Sequence, residues 1–88
     1  MFAISNIIPQ ESTNPDGVAI SFPVRLGRRI SLVRRKHGLS QTQLADMAQV
    51  GRAHLSQIEN GAVSARIDTV YAIAEALDMS ISELLNDL

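Results

Sequence analysis

From Val24 onward the apolar positions recur at helical spacing, and each run is closed by its own punctuation. Leu26, Ile30 and Val33 stand at i, i+4 and i+7 and Gly38 stops the run, which predicts a first helix over about 24 to 37. Ser40-Gln41-Thr42-Gln43 is a capping box flanked by Leu39 and Leu44 as a hydrophobic staple, so a second helix starts at Gln41 and runs to about Ala48. Gly51 caps a third helix over about 52 to 60, with Val50 and Leu55 as staple and Gly61 in the C-terminal position. Ile67, Val70, Ile73, Ala74 and Leu77 make the stripe of a fourth, about 67 to 77. Ser80-Ile81-Ser82-Glu83 repeats the capping box, with Met79 and Leu84 as staple, and opens a short fifth. The expected fold class is all-α: five short helices joined by short turns, with an irregular N-terminal tail.

Residues 1–23 carry Pro9, Pro15, Gly17 and Pro23 among Ser, Thr and Asn and show no helical period, so they read as a tail ordered, if at all, by a partner, ahead of a domain over 24–88. Val18 to Phe22 alternates apolar and small residues, as one short strand would. The apolar run Ile4 to Ile8 is broken by Ser5 and Asn6, has no basic leader and ends at Pro9; it is neither a signal peptide nor a membrane span, and a cytoplasmic location is expected.

The 88 residues include no cysteine, so neither disulfides nor thiolate metal sites supplement a small core. Such a core supplies no more than about 3–5 kcal/mol, which favours association. Ile81, Leu84, Leu85 and Leu88 crowd the last eight residues and are the expected homodimer interface.

The net charge of −1 hides a split. All eight basic residues lie between Arg25 and Arg66 against only Asp46 and Glu59, a local charge of +6, whereas the other acidic residues flank that stretch. A protein with one face towards phosphate has this distribution; taken alone, Arg28 to Lys36 also reads as the solvated face of a helix. Glu75, Asp78, Glu83 and Asp87 read as a solvated acidic face, His37 as a complement to the first helix's dipole, and Tyr71 as core or dimer packing. Two separated histidines make no metal site, no catalytic spacing is present, and no cofactor is expected.

The second and third helices are separated by a turn of three or four residues. Leu44, Ala45, Ala48, Val50, Leu55 and Ile58 occupy inward positions, and Ala45 is small enough for the third helix to approach the second. On the third helix Leu55 and Ile58 point one way, Ala53, Ser56, Gln57 and Asn60 the other, with Arg52 and His54 flanking. A polar, unhindered face of this kind is what enters a DNA groove.

Over Leu26 to about Leu85, and without a gap from Gly38-Leu39-Ser40-Gln41 through Gln57-Ile58-Glu59-Asn60-Gly61, the sequence resembles the Cro/cI-type (xenobiotic-response-element) helix-turn-helix regulators, among them phage repressors, restriction-modification controller proteins and HipB-type antitoxins. The resemblance implies a compact lambda-repressor-like domain and a transcriptional regulator, of repressor type, that binds double-stranded operator DNA as a homodimer. The operator would be pseudo-palindromic, with half-sites about 34–36 Å apart.

It further implies base contacts from Arg52, Ala53, His54 and Gln57, a set that Ser56 joins by sharing their face. Arg suits guanine O6 and N7, Gln suits adenine N6 and N7, and Ala suits a thymine methyl. By the same likeness Gln41 and Asn60 hold phosphates, and Arg34 and Glu59 form a structural ion pair between the first and third helices. Two departures are visible. Gln49 stands where most members place glycine, so either the turn distorts or Gln49 takes a left-handed conformation at some cost. The loop after the third helix offers only Arg66 for phosphate where members usually carry several basic residues, which predicts modest affinity. A second reading is an antitoxin that binds a toxin protein, with 1–23 as the binding arm; Val50-Gly51-Arg52 and the segment 65–70 look like such antitoxins. A third is an interaction module of the same fold that does not bind DNA.

Overall fold

The computed structural model describes residues 20–88. Five helices follow in order, α1 (Phe22–Lys36), α2 (Gln41–Ala48), α3 (Arg52–Glu59), α4 (Ile67–Ala76) and α5 (Ile81–Leu84), and there is no strand among the described residues. The fold is all-α.

Helix α1 starts two residues ahead of the sequence expectation. Ser21 is its extended N-terminal cap, and Pro23 falls in the first turn, where a missing N–H goes unnoticed and the fixed φ favours helix. This corrects the strand expected over Val18 to Phe22: Phe22 is helical, Ile20 and Ser21 are not in a strand, and Val18 and Ala19 lie outside the described residues. So does most of the expected tail.

Both capping boxes form. Ser40 Oγ accepts from the Gln43 amide at 3.0 Å while Gln43 Oε1 accepts from the Ser40 amide at 2.8 Å; Ser80 and Glu83 repeat the exchange at 3.0 and 2.9 Å. Four helices also end alike. After α1, α2, α3 and α4 the chain turns through a left-handed residue, and the next amide reaches back to a carbonyl five residues earlier: Leu39 to Arg34, Val50 to Ala45, Ala62 to Gln57 and Met79 to Ala74. Gly38 and Gly61 take that conformation without a Cβ clash, whereas Gln49 (φ 57°) and Asp78 (φ 59°) adopt it as ordinary L-residues. Helices α3 and α4 stop one residue short of the expected ends because Asn60 and Leu77 are already caps.

The core is built from Leu26, Ile30 and Val33 of α1, Leu44, Ala45 and Ala48 of α2, Leu55 and Ile58 of α3, Val70, Ile73 and Ala74 of α4, and Leu77 and Leu84. Leu84 is fully buried in its own domain, which removes it from the dimer interface expected of Ile81, Leu84, Leu85 and Leu88. The staple with Met79 turns it inward, and the other three remain partly buried against the core. Where α1 crosses the end of α3, Gly27 is buried so close that a methyl group there would collide with the Ile58 carbonyl and stand 2.6 Å from that of Glu59. Helix α3 is thereby clamped between α1 and α2 with one face left open.

Candidate nucleic-acid interface

The open face of α3 carries the residues that the sequence singled out. Arg52, Ala53, His54, Gln57 and Asn60 are exposed and Ser56 is half-buried, while Leu55, Ile58 and Glu59 face inward. The sort follows from helical period alone: Leu55, Ile58 and Glu59 share one side of the helix, so their neighbours must project outward. Four long or polar side chains and one small apolar one therefore line a ridge one helix wide, a shape that fits the major groove.

What holds this ridge is a polar hub at its far end. Arg34 of α1 donates from Nε to Glu59 Oε2 at 2.7 Å and from Nη2 to Glu59 Oε1 at 3.0 Å, a two-pronged pair whose side chains are only 12% and 3% exposed. Its Nη1 donates to the Leu39 carbonyl at 2.8 Å, in the turn before α2. Gln41, the first residue of α2, donates from Nε2 to Glu59 Oε1 at 3.1 Å. One buried carboxylate thus ties together α1, the α1–α2 turn, the start of α2 and the end of α3. Gln41 keeps its amide oxygen and a second N–H for other use, half-exposed beside the α2 N-terminus.

Other predicted groups are placed differently. Arg66 stands just before α4, 85% exposed at its side chain, with Asp68 Oδ1 3.4 Å from its Nε, so part of its charge is already answered. Arg29, counted in the basic stretch, turns away and donates to the Leu84 and Glu83 carbonyls at 3.1 and 3.0 Å, closing the open end of α5. Arg28, Arg35, Lys36 and Arg52 are the exposed remainder. The His37 ring nitrogen Nδ1 lies 2.9 Å from the Val33 carbonyl at the end of α1. Neither Gly27 nor Arg29 was marked by the sequence pattern; a glycine in a helix with good helix-forming neighbours was the one available hint of a close crossing. Among the described residues no group of histidine and acidic side chains forms a metal site, and no helix is long and apolar enough to cross a membrane.

The helix-turn-helix family model matches residues 30–84 of the chain. An immunity repressor protein of Bacillus phage phi105 is 32% identical over 62 residues, which are 70% of this chain and 43% of that protein, so the chain spans less than half of the repressor's length. Among solved structures, the restriction-modification controller protein C.AhdI from Aeromonas hydrophila superimposes with a TM-score of 0.70 at 30% identity, covering 72% of this chain and 96% of C.AhdI. The biofilm master regulator SinR, solved in complex with DNA, gives a TM-score of 0.66 at 32% identity over 69% of this chain and 98% of that one.

Proposed function

The chain belongs to the helix-turn-helix family, and from that premise we propose that it is a sequence-specific DNA-binding transcription regulator, of repressor type, acting in the cytoplasm as a homodimer on a pseudo-palindromic operator. One observation carries the reading. The outward face of α3 is polar and open at Arg52, His54 and Gln57, while its inner face is fixed by Leu55, Ile58 and the buried Arg34–Glu59 pair. A ridge that is rigid before it meets DNA loses little freedom on binding, and its side chains have the donors and acceptors that discriminate base edges. The SinR domain of similar fold, solved with DNA, supports the same use. The DNA-binding unit takes in the chain from Ser21 to Leu88.

Direct readout and backbone grip separate by mutation. Against a duplex recovered by selection, Arg52→Ala or Gln57→Ala lowers affinity by about 1–3 kcal/mol and flattens preference at one base position, with a much smaller loss on random duplex. Gln41→Ala weakens both duplexes by similar factors and leaves the salt dependence nearly unchanged, because it removes no charge. Arg66→Ala lowers the salt slope by roughly 1 per half-site if Arg66 meets phosphate. Unchanged operator preference in both Arg52→Ala and Gln57→Ala contradicts the assignment of α3 as reader and turns the reading towards an interaction module.

A further inference from the structure

Two faces of the domain lie outside the interface just described, and they are opposite in charge. On α1, Arg28, Leu32 and Arg35 stand at i, i+4 and i+7, on the side turned away from Leu26, Ile30 and Val33. No carboxylate among the described residues pairs with either arginine, and Leu32 between them is 46% exposed. The second face is a groove between the end of α2 and the outer side of α4, lined by Met47, Gln49, Ala72, Glu75 and Ala76. Beyond the groove, on the outer side of α4, stand Ile67 and Tyr71, 67% and 52% exposed, and Met47 on its α2 side is 53% exposed. The charges nearby are mostly acidic: Glu75 in the groove, Asp78 next to it in an adjoining hollow, and Asp68 near the start of α4, whose carboxylate lies 3.4 Å from Arg66. Tyr71 donates its hydroxyl to Glu75 at 3.2 Å, and that bond, then the carboxylate's charge, raises the phenol above its ordinary range.

Met47 in the groove, with Ile67 and Tyr71 on the helix that carries Glu75, leaves large apolar side chains exposed near carboxylates. We propose that the groove receives the Arg28–Leu32–Arg35 stripe of a second copy of the chain. Leu32 packs beside Met47 in the groove, and the two arginines flank it, against Glu75 and against Asp68, the latter in exchange with Arg66. The same chain's residues 1–19 are a poorer match, since they hold Glu11 and Asp16 and no Lys or Arg. Because donor and acceptor faces differ, the contact is head-to-tail: copies add one after another, into a ring where the rotation closes and an open chain where it does not. It rests on the surface of the folded domain and is independent of the DNA reading.

Charge reversal tests it. The full-length chain is compared by sedimentation with Arg28→Glu/Arg35→Glu, which spoils the stripe, and with Glu75→Arg, which spoils the groove. The unaltered protein gains mass with concentration in about 0.1 M salt and loses that gain in about 1 M salt, as the screening length falls from about 10 to about 3 Å. Each variant alone stays at a fixed basic unit, monomer or two-fold dimer. Mixing the two variants restores the contact, because each retains the face the other lacks: monomeric units pair one to one, and two-fold dimers, with two faces each, join into longer alternating chains; the recovered mass also shows that both are folded. A mixture that stays at the basic unit overturns the proposal, as does growth of the unaltered protein that both variants retain. A Met47 methyl resonance that is shielded at every concentration and unmoved in Arg28→Glu/Arg35→Glu assigns the groove to residues 1–19 and overturns it too. The basic unit is read from the variants alone, so failure here is separate from failure of the homodimer reading.

Discussion

Glu59 is a carboxylate with 3% of its side chain exposed, and it is tolerable there only because three donors from two other residues converge on it. Glu59→Ala strands Arg34 and lowers unfolding free energy by about 3–5 kcal/mol in a urea titration; stability equal to the parent protein would show that the hub contributes nothing. The exposed Arg66–Asp68 pair belongs to a different class, where solvent screening leaves about 0–1 kcal/mol. At position 49 the strain is in the backbone: a left-handed L-residue costs roughly 1–2 kcal/mol relative to its right-handed form, and glycine escapes most of that. Gln49→Gly is expected to stabilise the domain by about 1 kcal/mol in the same titration, after the flexibility that glycine adds to the unfolded chain. The place of glycine in related turns left two outcomes open at Gln49, a distorted turn or a left-handed residue, and the structure takes the second. The Arg34–Glu59 pair, 25 residues apart, was legible only through family likeness, since no local spacing brings those positions together.

The starts of α2 and α5 were readable because capping is local. Ser40 with Gln43 and Ser80 with Glu83 satisfy each other within four residues, so the sequence holds the whole interaction. Contacts between helices were less readable, as Gly27 and Arg29 show. Each acts on an element far along the chain, Gly27 on the end of α3 and Arg29 on the carbonyls of α5, and nothing adjacent in sequence marks the partner. Gly27→Ala forces α1 away from α3 and is expected to cost about 1–3 kcal/mol, as overpacking does. It also tilts the ridge that carries Arg52 and Gln57, so a heteronuclear NMR spectrum should show shifts through α3 as well as at the site of change. Shifts confined to α1 would contradict the clamp.

For the whole molecule, the charge split seen in the sequence resolves into several jobs. Arg34 is internal, Arg29 braces α5, Arg25 donates to the Ile20 carbonyl, and Arg28 with Arg35 forms a separate stripe, which leaves Arg52, Lys36 and the partly answered Arg66 for the proposed contacts with phosphate and bases. The proposed homodimer follows the same sorting: with Leu84 in the core, its two-fold interface would rest on Ile81, Leu85 and Leu88, which pack only partly on their own domain. The parent protein is expected to sediment as a dimer at about tens of micromolar and Leu85→Asp as a folded monomer; a parent that is already monomeric there contradicts the interface. The proposed operator spacing depends on that symmetry, but the proposed base reading by α3 does not. The most direct measurement is therefore a selection from random duplexes, run in parallel on the parent protein and on Arg52→Ala/Gln57→Ala. Enrichment of one motif by the parent, in two inverted copies spaced about one helical turn apart and lost in the variant, is the predicted result. No enriched motif, or the same motif from both proteins, would contradict it.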